Sequence, residues 1–316
     1  MALVWVVGSG GLLGQALVCK IVKTEDVLFD PEVKFNWNNL GIATEQLKQI
    51  TNQFALQVAK GPWKIYWAAG TSTMHSTEKA LQEETYILEE LVSTLLGDSN
   101  LNLSAGTFIF ASSAGAIYAG VCDEVITEST APAPINAYGR AKLLQESLVN
   151  KLNGNGQGVT IISCRISTLY GFKSKSGKQQ GLIAEIIRRS LSNQVVHIYV
   201  PLETMRDYIS AKNAAIQMIK KTALLEKTPG PHLKIIASSV STSVAQILAI
   251  LKQICKRNLR VITQADVKRS QYQRVVQFQS EIHISTHQID RHNLIESISD
   301  LLNTIQKDIA TNGIAS

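Results

Sequence analysis

Residues 3–7 are an uninterrupted apolar run that ends at a glycine, as a strand covered on both faces does. A helical period follows over 12–23, and a second short strand pattern over 26–29. From Asp30 to Leu40 the sequence is irregular and no period stands out. Beyond it the pattern predicts helices at 45–59, 77–96 and 136–152, alternating with strands at 64–68, 107–111 and 159–163. Strands separated by helices of this length form β-α-β units, and right-handed crossovers put helices on both faces of a parallel sheet.

After Gly171 the pattern loosens. The polar, basic stretch 173–178 reads as a loop. Helices are expected at 182–191 and 212–225, a strand at 195–200, a β-α pair over 233–256 and a last helix at 294–309. The expected fold class is α/β, a doubly wound parallel sheet of Rossmann type with a smaller C-terminal substrate lobe. Residues 1–170 are assigned to the dinucleotide-binding domain. Residues 171–316 are expected to complete the sheet and form the lobe.

Composition changes this picture little. The 316 residues are 45% hydrophobic and 18% charged, as in ordinary soluble globular proteins. The net charge of +6 is spread along the chain, which favours a solvated basic surface over nucleic-acid binding. Cys19, Cys122, Cys164 and Cys255 lie far apart with no C-x-x-C pair. That spacing argues against a zinc site or a disulfide framework and suits a reducing cytoplasm. No charged side chain occurs between Met1 and Cys19, yet the basic start of a signal peptide is missing. Gly8, Gly10, Gly11 and Gly14 also stand where a spanning helix needs bulk. The segment reads as a buried strand and a tight turn, with no targeting signal and no membrane partner.

The first candidate chemistry lies in that turn. Gly8, Gly11 and Gly14 form G-x-x-G-x-x-G between the first strand and its helix. A pyrophosphate must approach the backbone there, where N–H groups at the helix opening point outward, and a Cβ would block the approach or the packing. Gly8, Gly11, Leu12, Leu13 and Gly14 are therefore candidate cofactor contacts. Asp30 follows the second strand about 20 residues on, where an acid holds the adenosine ribose hydroxyls. It favours NAD and leaves NADP open; the competing reading is a turn aspartate before Pro31.

The second lies at 138–142, where Tyr138 and Lys142 form Y-x-x-x-K at the start of a helix. Residues four apart share a helix face, so phenol and ammonium can line one pocket. A free phenol, with a pKa of about 10, is a poor base at neutral pH. A neighbouring cation favours the phenolate, which can then exchange a proton with a sugar hydroxyl during hydride transfer. Ser112 and Ser113 end a predicted parallel strand, the edge at which open α/β sheets bind ligands. Either hydroxyl could hold the reacting oxygen.

These motifs, in order, carry a family resemblance: VVGSGGLLG at 6–14, WAAG at 67–70, FIFASSAGAIY at 108–118, AYGRAK at 137–142 and RDYI at 206–209. The chain resembles the extended short-chain dehydrogenases/reductases, the NAD-dependent epimerase/dehydratase group that acts on nucleotide sugars. The resemblance implies catalytic roles for Ser113, Tyr138 and Lys142, with the lysine also on the nicotinamide ribose. It implies that Ala68, Ala69 and Gly70 border the cofactor and that Arg206 holds a nucleotide-sugar diphosphate. Members often dimerise through helices flanking the sheet, so a homodimer is compatible with it. Two departures stand out. Where the family often has an asparagine, this chain reads Gln82, Glu83, Glu84 and Thr85. Ala114, Gly115 and Ala116 replace the acidic pair of the 4,6-dehydratases, which argues against a dehydratase.

Other signals carry less. The glycines of the 171–178 segment are spaced wrongly for a phosphate loop. His283 and His287 lack metal-ligand partners, and alternating Phe278, Ser280, Ile282 and Ile284 suggest a strand, so no metal is expected. Four functional readings remain: an epimerase or reductase of a nucleotide sugar, a reductase of a non-nucleotide carbonyl, a non-catalytic NAD(P) sensor, and a catalytically idle scaffold. The intact tyrosine–lysine pair speaks against the sensor.

Overall fold

Five apolar residues with no charge among them bury most readily in a sheet interior, and Leu3–Val7 forms its strand there. The computed structural model describes all residues except 32, 34, 157, 173–178, 256–258, 265–276, 282–293 and 313–316. In chain order the first elements are β1 (Leu3–Val7), α1 (Leu12–Ile21), β2 (Val27–Phe29), α2 (Leu40–Val58), β3 (Trp63–Trp67) and α3 (Glu78–Gly97). Next come β4 (Gly106–Ser113), α4 (Ala114–Ile117), β5 (Val125–Ile126), α5 (Ala137–Asn150), β6 (Thr160–Ile166), β7 (Thr168–Phe172) and β8 (Gln179–Gln180). They are followed by α6 (Leu182–Leu191), β9 (Val196–Ile198), β10 (Met205–Ser210), α7 (Ala211–Leu225) and β11 (Gly230–Ile236). The last are β12 (Ser241–Ser243), α8 (Val244–Cys255), β13 (Val261–Thr263), β14 (Gln277–Phe278) and α9 (Leu294–Asn312).

The chain divides into two units. The first comprises Met1–Tyr118, Pro132–Arg165 and Ala215–Lys234, and the second comprises Ala119–Ala131, Ile166–Ala214 and Ile235–Ser316. The six-stranded sheet has the order β11-β6-β4-β3-β1-β2, a doubly wound α/β arrangement. β1 pairs in parallel with β2 on one side and β3 on the other, and β3 pairs in parallel with β4. The connection therefore reverses direction across β1, which makes the gap between β1 and β3 the topological switch point.

The core of the first unit is aromatic. Trp5 lies 5.6 Å from Phe54 and 5.8 Å from Phe29, ring centre to ring centre. α2 covers these rings with Leu47, Ile50 and Phe54, and α3 adds Leu88, Leu91 and Leu95. α2 begins at Leu40, five residues before its expected start at 45, because Asn39 caps it by accepting from the Ile42 amide. The buried Ala43 and Thr44 carry the buried stripe from Leu47 back toward that first turn.

β6 runs to Ile166, past the expected end at 163, and carries a charge into the core. Arg165 is buried, and its Nε and Nη2 donate to Oε1 and Oε2 of Glu146 on α5 at 3.0 and 2.7 Å. Ser112 at the end of β4 donates to the same carboxylate at 2.6 Å, and Arg165 also donates to the Tyr118 hydroxyl. Burial works against the Arg165 charge, but the Glu146 carboxylate outweighs it and holds the guanidinium above its ordinary pKa. A bidentate pair of this kind fixes orientation as well as charge, so it sets how α5 lies on β4 and β6.

In the second unit a four-stranded sheet has the order β12-β10-β7-β8, with β10 parallel to β7 and antiparallel to β12. Ile183, Ile187, Ile247, Leu251, Ile298 and Leu302 from α6, α8 and α9 form its core. β7 and β10 were not apparent as strands in the hydrophobic pattern. β10 reads Met-Arg-Asp-Tyr-Ile-Ser, and its Asp207 is fully buried. The predicted alternation over 278–284 yields strand only at Gln277–Phe278, which pairs with β5; Gln279, Ser280 and Glu281 are not in a strand. Residues 282–284, His283 and His287, and the 173–178 stretch lie outside the described residues.

Arg165→Leu leaves the buried Glu146 carboxylate without its cation, and is expected to cost about 3–5 kcal/mol in urea unfolding. The double variant Arg165→Leu/Glu146→Leu removes both charges and is expected to recover part of that loss.

Candidate active site

The glycine turn is built by contact. Gly8 has φ +85°, and a Cβ there would stand 2.6 Å from the Ala69 amide nitrogen. At Gly14 a Cβ would stand 2.1 Å from the Gly8 carbonyl oxygen, so only glycine lets α1 lie this close to the turn. The Ala68 amide donates to the Val7 carbonyl at 2.9 Å. Gly8 is thus brought against Ala68 and Ala69, and Gly14 against Gly8, at the switch point. Gly11 caps α1 without a side chain, leaving the helix opening at Leu12 and Leu13 to an anion. Asp30 is exposed at the carboxyl end of β2, and Trp5 pairs with Phe29 beside it. A backbone cradle that a Cβ would fill, next to an uncapped helix end, fits a dinucleotide.

At the end of β4 the two serines differ. Ser112 is buried and its hydroxyl is committed to Glu146. Ser113 is half-buried and stands at the N-cap of α4, where its side chain makes no capping bond. Successive strand residues point to opposite faces, so the two hydroxyls do not share one environment.

Tyr138 and Lys142 sit on the first turns of α5. Asn136, two residues before the tyrosine, caps this helix by accepting from the Gly139 amide at 2.8 Å and fixes its start at Ala137. Lys142 is only 5% exposed, and its Nζ lies 5.6 Å from the centre of the Tyr138 ring and 5.3 Å from that of Phe110. The ammonium donates to Gln145 Oε1 at 2.9 Å and to Glu84 Oε1 at 3.2 Å, while Gln145 donates to Thr85 at 3.0 Å. A buried ammonium with a carboxylate and an amide around it, one helical turn from a phenol, is suited to proton exchange.

Gly139 was not singled out from the sequence as a site residue. A Cβ on it would meet the Ala116 carbonyl at 2.4 Å, so glycine permits the start of α5 to approach α4. Glu84 and Gln145 were also missed as lysine partners. Gln145 stands three residues from Lys142 on one helix face, a spacing that does announce contact. The Glu84 contact joins residues 58 apart and has no local sequence signal.

In the second unit, Arg206 lies on β10 and its Nη1 donates to the Met205 carbonyl. Burial holds its guanidinium below the ordinary value. Asp207 does not pair with it. Asp207 Oδ1 accepts from the Ser167 hydroxyl at 2.7 Å and the Ser238 amide at 2.8 Å, and burial pushes the carboxyl up from its ordinary range.

The sequence pattern of the NAD dependent epimerase/dehydratase family matches residues 4–235. The chain belongs to this family. Its members are NAD-dependent enzymes of the extended short-chain dehydrogenase/reductase type. The chain is 27% identical over 225 residues to the dTDP-4-dehydro-6-deoxyglucose reductase of Escherichia coli, covering 65% of this chain and 68% of that protein. The structure of RMD from Pseudomonas aeruginosa with NADPH aligns at TM-score 0.75 and 17% identity, over 97% of this chain and 98% of that one. The UDP-glucuronic acid 4-epimerase from Bacillus cereus, solved with UDP-glucuronic acid and NAD, aligns at 0.71 and 16%, over 96% and 99%. Among the described residues, no helix of this family member is long and apolar enough to cross a membrane.

Gly139→Ala is expected to cost about 1–3 kcal/mol in chemical denaturation, because the helix start must move off Ala116. Gly10→Ala, where a Cβ meets nothing within 4 Å, is the control and should cost much less.

Proposed function

We propose that this protein transfers a hydride at a hydroxyl-bearing or keto carbon of a nucleotide sugar or related carbohydrate, with Tyr138 as the acid–base group. The observation that carries the reading is the buried Lys142 ammonium beside the Tyr138 ring, on a helix pinned to the sheet. When bound, NAD supplies the hydride acceptor, or its reduced form the donor. Tyr138 takes the proton of the sugar hydroxyl as that carbon is oxidised, and returns it on reduction. Lys142 faces the Tyr138 ring and holds a ribose hydroxyl of the cofactor. Ser113 holds the reacting oxygen beside the phenol, since the Ser112 hydroxyl is committed to Glu146.

Gly8, Gly11, Leu12, Leu13, Gly14 and Ala68–Gly70 would cradle the dinucleotide. Asp30 would accept from the adenosine ribose hydroxyls and disfavour a 2′-phosphate, which makes NAD the preferred form. Arg206 would take the substrate diphosphate, and substrate recognition is assigned to the second unit that carries it. α4 offers only Ala114, Gly115, Ala116 and Ile117 where an elimination would need acid–base groups, so dehydration is not part of the proposal. Between epimerase and reductase, the Escherichia coli relative, itself a reductase, favours reduction of a keto sugar.

The test is denaturation of the purified protein with mass identification of any released nucleotide, followed by assay against UDP- and dTDP-linked sugars and keto sugars. Retained NAD+ supports epimerisation, and an empty site that takes up a reduced dinucleotide supports the reductase. Ser113→Ala is expected to lower kcat/KM by about 100-fold or more, while Ser112→Ala acts mainly on stability. Lack of NAD(P) affinity, or of turnover across the whole panel, contradicts the proposal.

A further inference from the structure

The side chain of Glu84 joins two parts of the candidate site that the sequence keeps apart. From α3, its Oε1 accepts from Lys142 Nζ and its Oε2 accepts from the Ser72 amide, both at 3.2 Å. It lies directly against Gly70, where a Cβ would fall 2.5 Å from Oε1. Its side chain is only 12% exposed. The chain segment that follows β3 and the ammonium on α5 are thus held by the two oxygens of one carboxylate. Two donors on two sides require an acceptor at each oxygen. A glutamine amide has one, and would turn its own NH2 toward either the ammonium or the Ser72 amide.

Lys142 has three N–H donors, of which Gln145 and Glu84 take two. Among the described residues, the charged and titratable groups that face the ammonium are few. α3 presents Glu84, α5 presents Tyr138, and β4 presents the uncharged Phe110 ring. α4 carries no ionisable side chain, and Glu146 of α5 is engaged with Arg165.

We propose that Glu84 is a positioning residue that acts through Lys142. It ties the ammonium to the backbone of residues 70–72, leaves one of the three N–H groups for a ligand, and offsets part of the ammonium's charge beside Tyr138. The inference rests on the Tyr138–Lys142 reading given above.

The experiment is a double-mutant cycle on NAD affinity, read by calorimetry, with Glu84→Gln, Lys142→Met and the double variant, alongside pH profiles of turnover. Each single change is expected to weaken NAD binding by about fivefold or more, and the double variant to fall well short of their product. In Glu84→Gln the acid limb of the turnover profile is expected to move to lower pH, because a negative charge beside the ammonium is removed. Glu84→Asp keeps the charge but shortens the reach. It should lose NAD affinity with a smaller movement of the profile, and it serves if the glutamine variant does not fold.

Multiplicative effects in the cycle overturn the proposal, as does loss of thermal stability in the Glu84 variants with NAD affinity and pH profile unmoved. Binding of NAD by the unsubstituted chain without coupling sinks this inference alone. Absence of NAD binding by the unsubstituted chain sinks both the inference and the functional reading beneath it.

Discussion

The buried pair between Arg165 and Glu146 is the constraint on which the site depends. Leaving either charge in the core alone would be costly, and the bidentate geometry satisfies both ends only when α5 lies at one angle across β4 and β6. Ser112 adds a third bond to the same carboxylate and is thereby tied to the helix. Once α5 is placed, Asn136 fixes where it starts and Gly139 lets that start approach α4. Tyr138 and Lys142 have little freedom left. The pair's value lies in placement, since a well-packed apolar replacement is often no less stable.

The glycine turn is built differently, from backbone rather than charge. Gly8 and Gly14 bring three segments within distances that no Cβ could share, and the reversal of strand order across β1 opens the crevice at that point. Glu84 reaches from α3 toward this backbone and toward Lys142, so the two halves of the first unit's site meet at one carboxylate. The surroundings of Lys142 are partly apolar, with the Phe110 ring on one side, which strengthens every charge interaction there.

Much of the first unit was legible in the sequence because its signals are local. β1 is a bare apolar run, the glycines follow it at once, and α5 joins a capping asparagine to the Tyr138–Lys142 spacing. The early start of α2 was missed because Asn39 and Ala43 are weak marks beside the stronger apolar stripe that follows. β7 was missed because it is short and holds Gly171, and β10 because the buried Asp207 breaks its apolar pattern; that carboxylate accepts from Ser167 and Ser238, which lie far off in sequence. The choice between Ser112 and Ser113 and the lysine's carboxylate partner turn on contacts 34 and 58 residues apart, which periodicity does not register.

The measurement that bears most directly on the central claim compares the unsubstituted protein with Tyr138→Phe, in NAD affinity and in the rate of hydride transfer to or from the identified sugar. Removing one oxygen from a packed ring leaves the cradle intact, so NAD affinity should stay within about threefold while turnover falls by about 100- to 10,000-fold. A phenylalanine variant that turns over as fast as the original would show that the phenol moves no proton, and the account would be wrong.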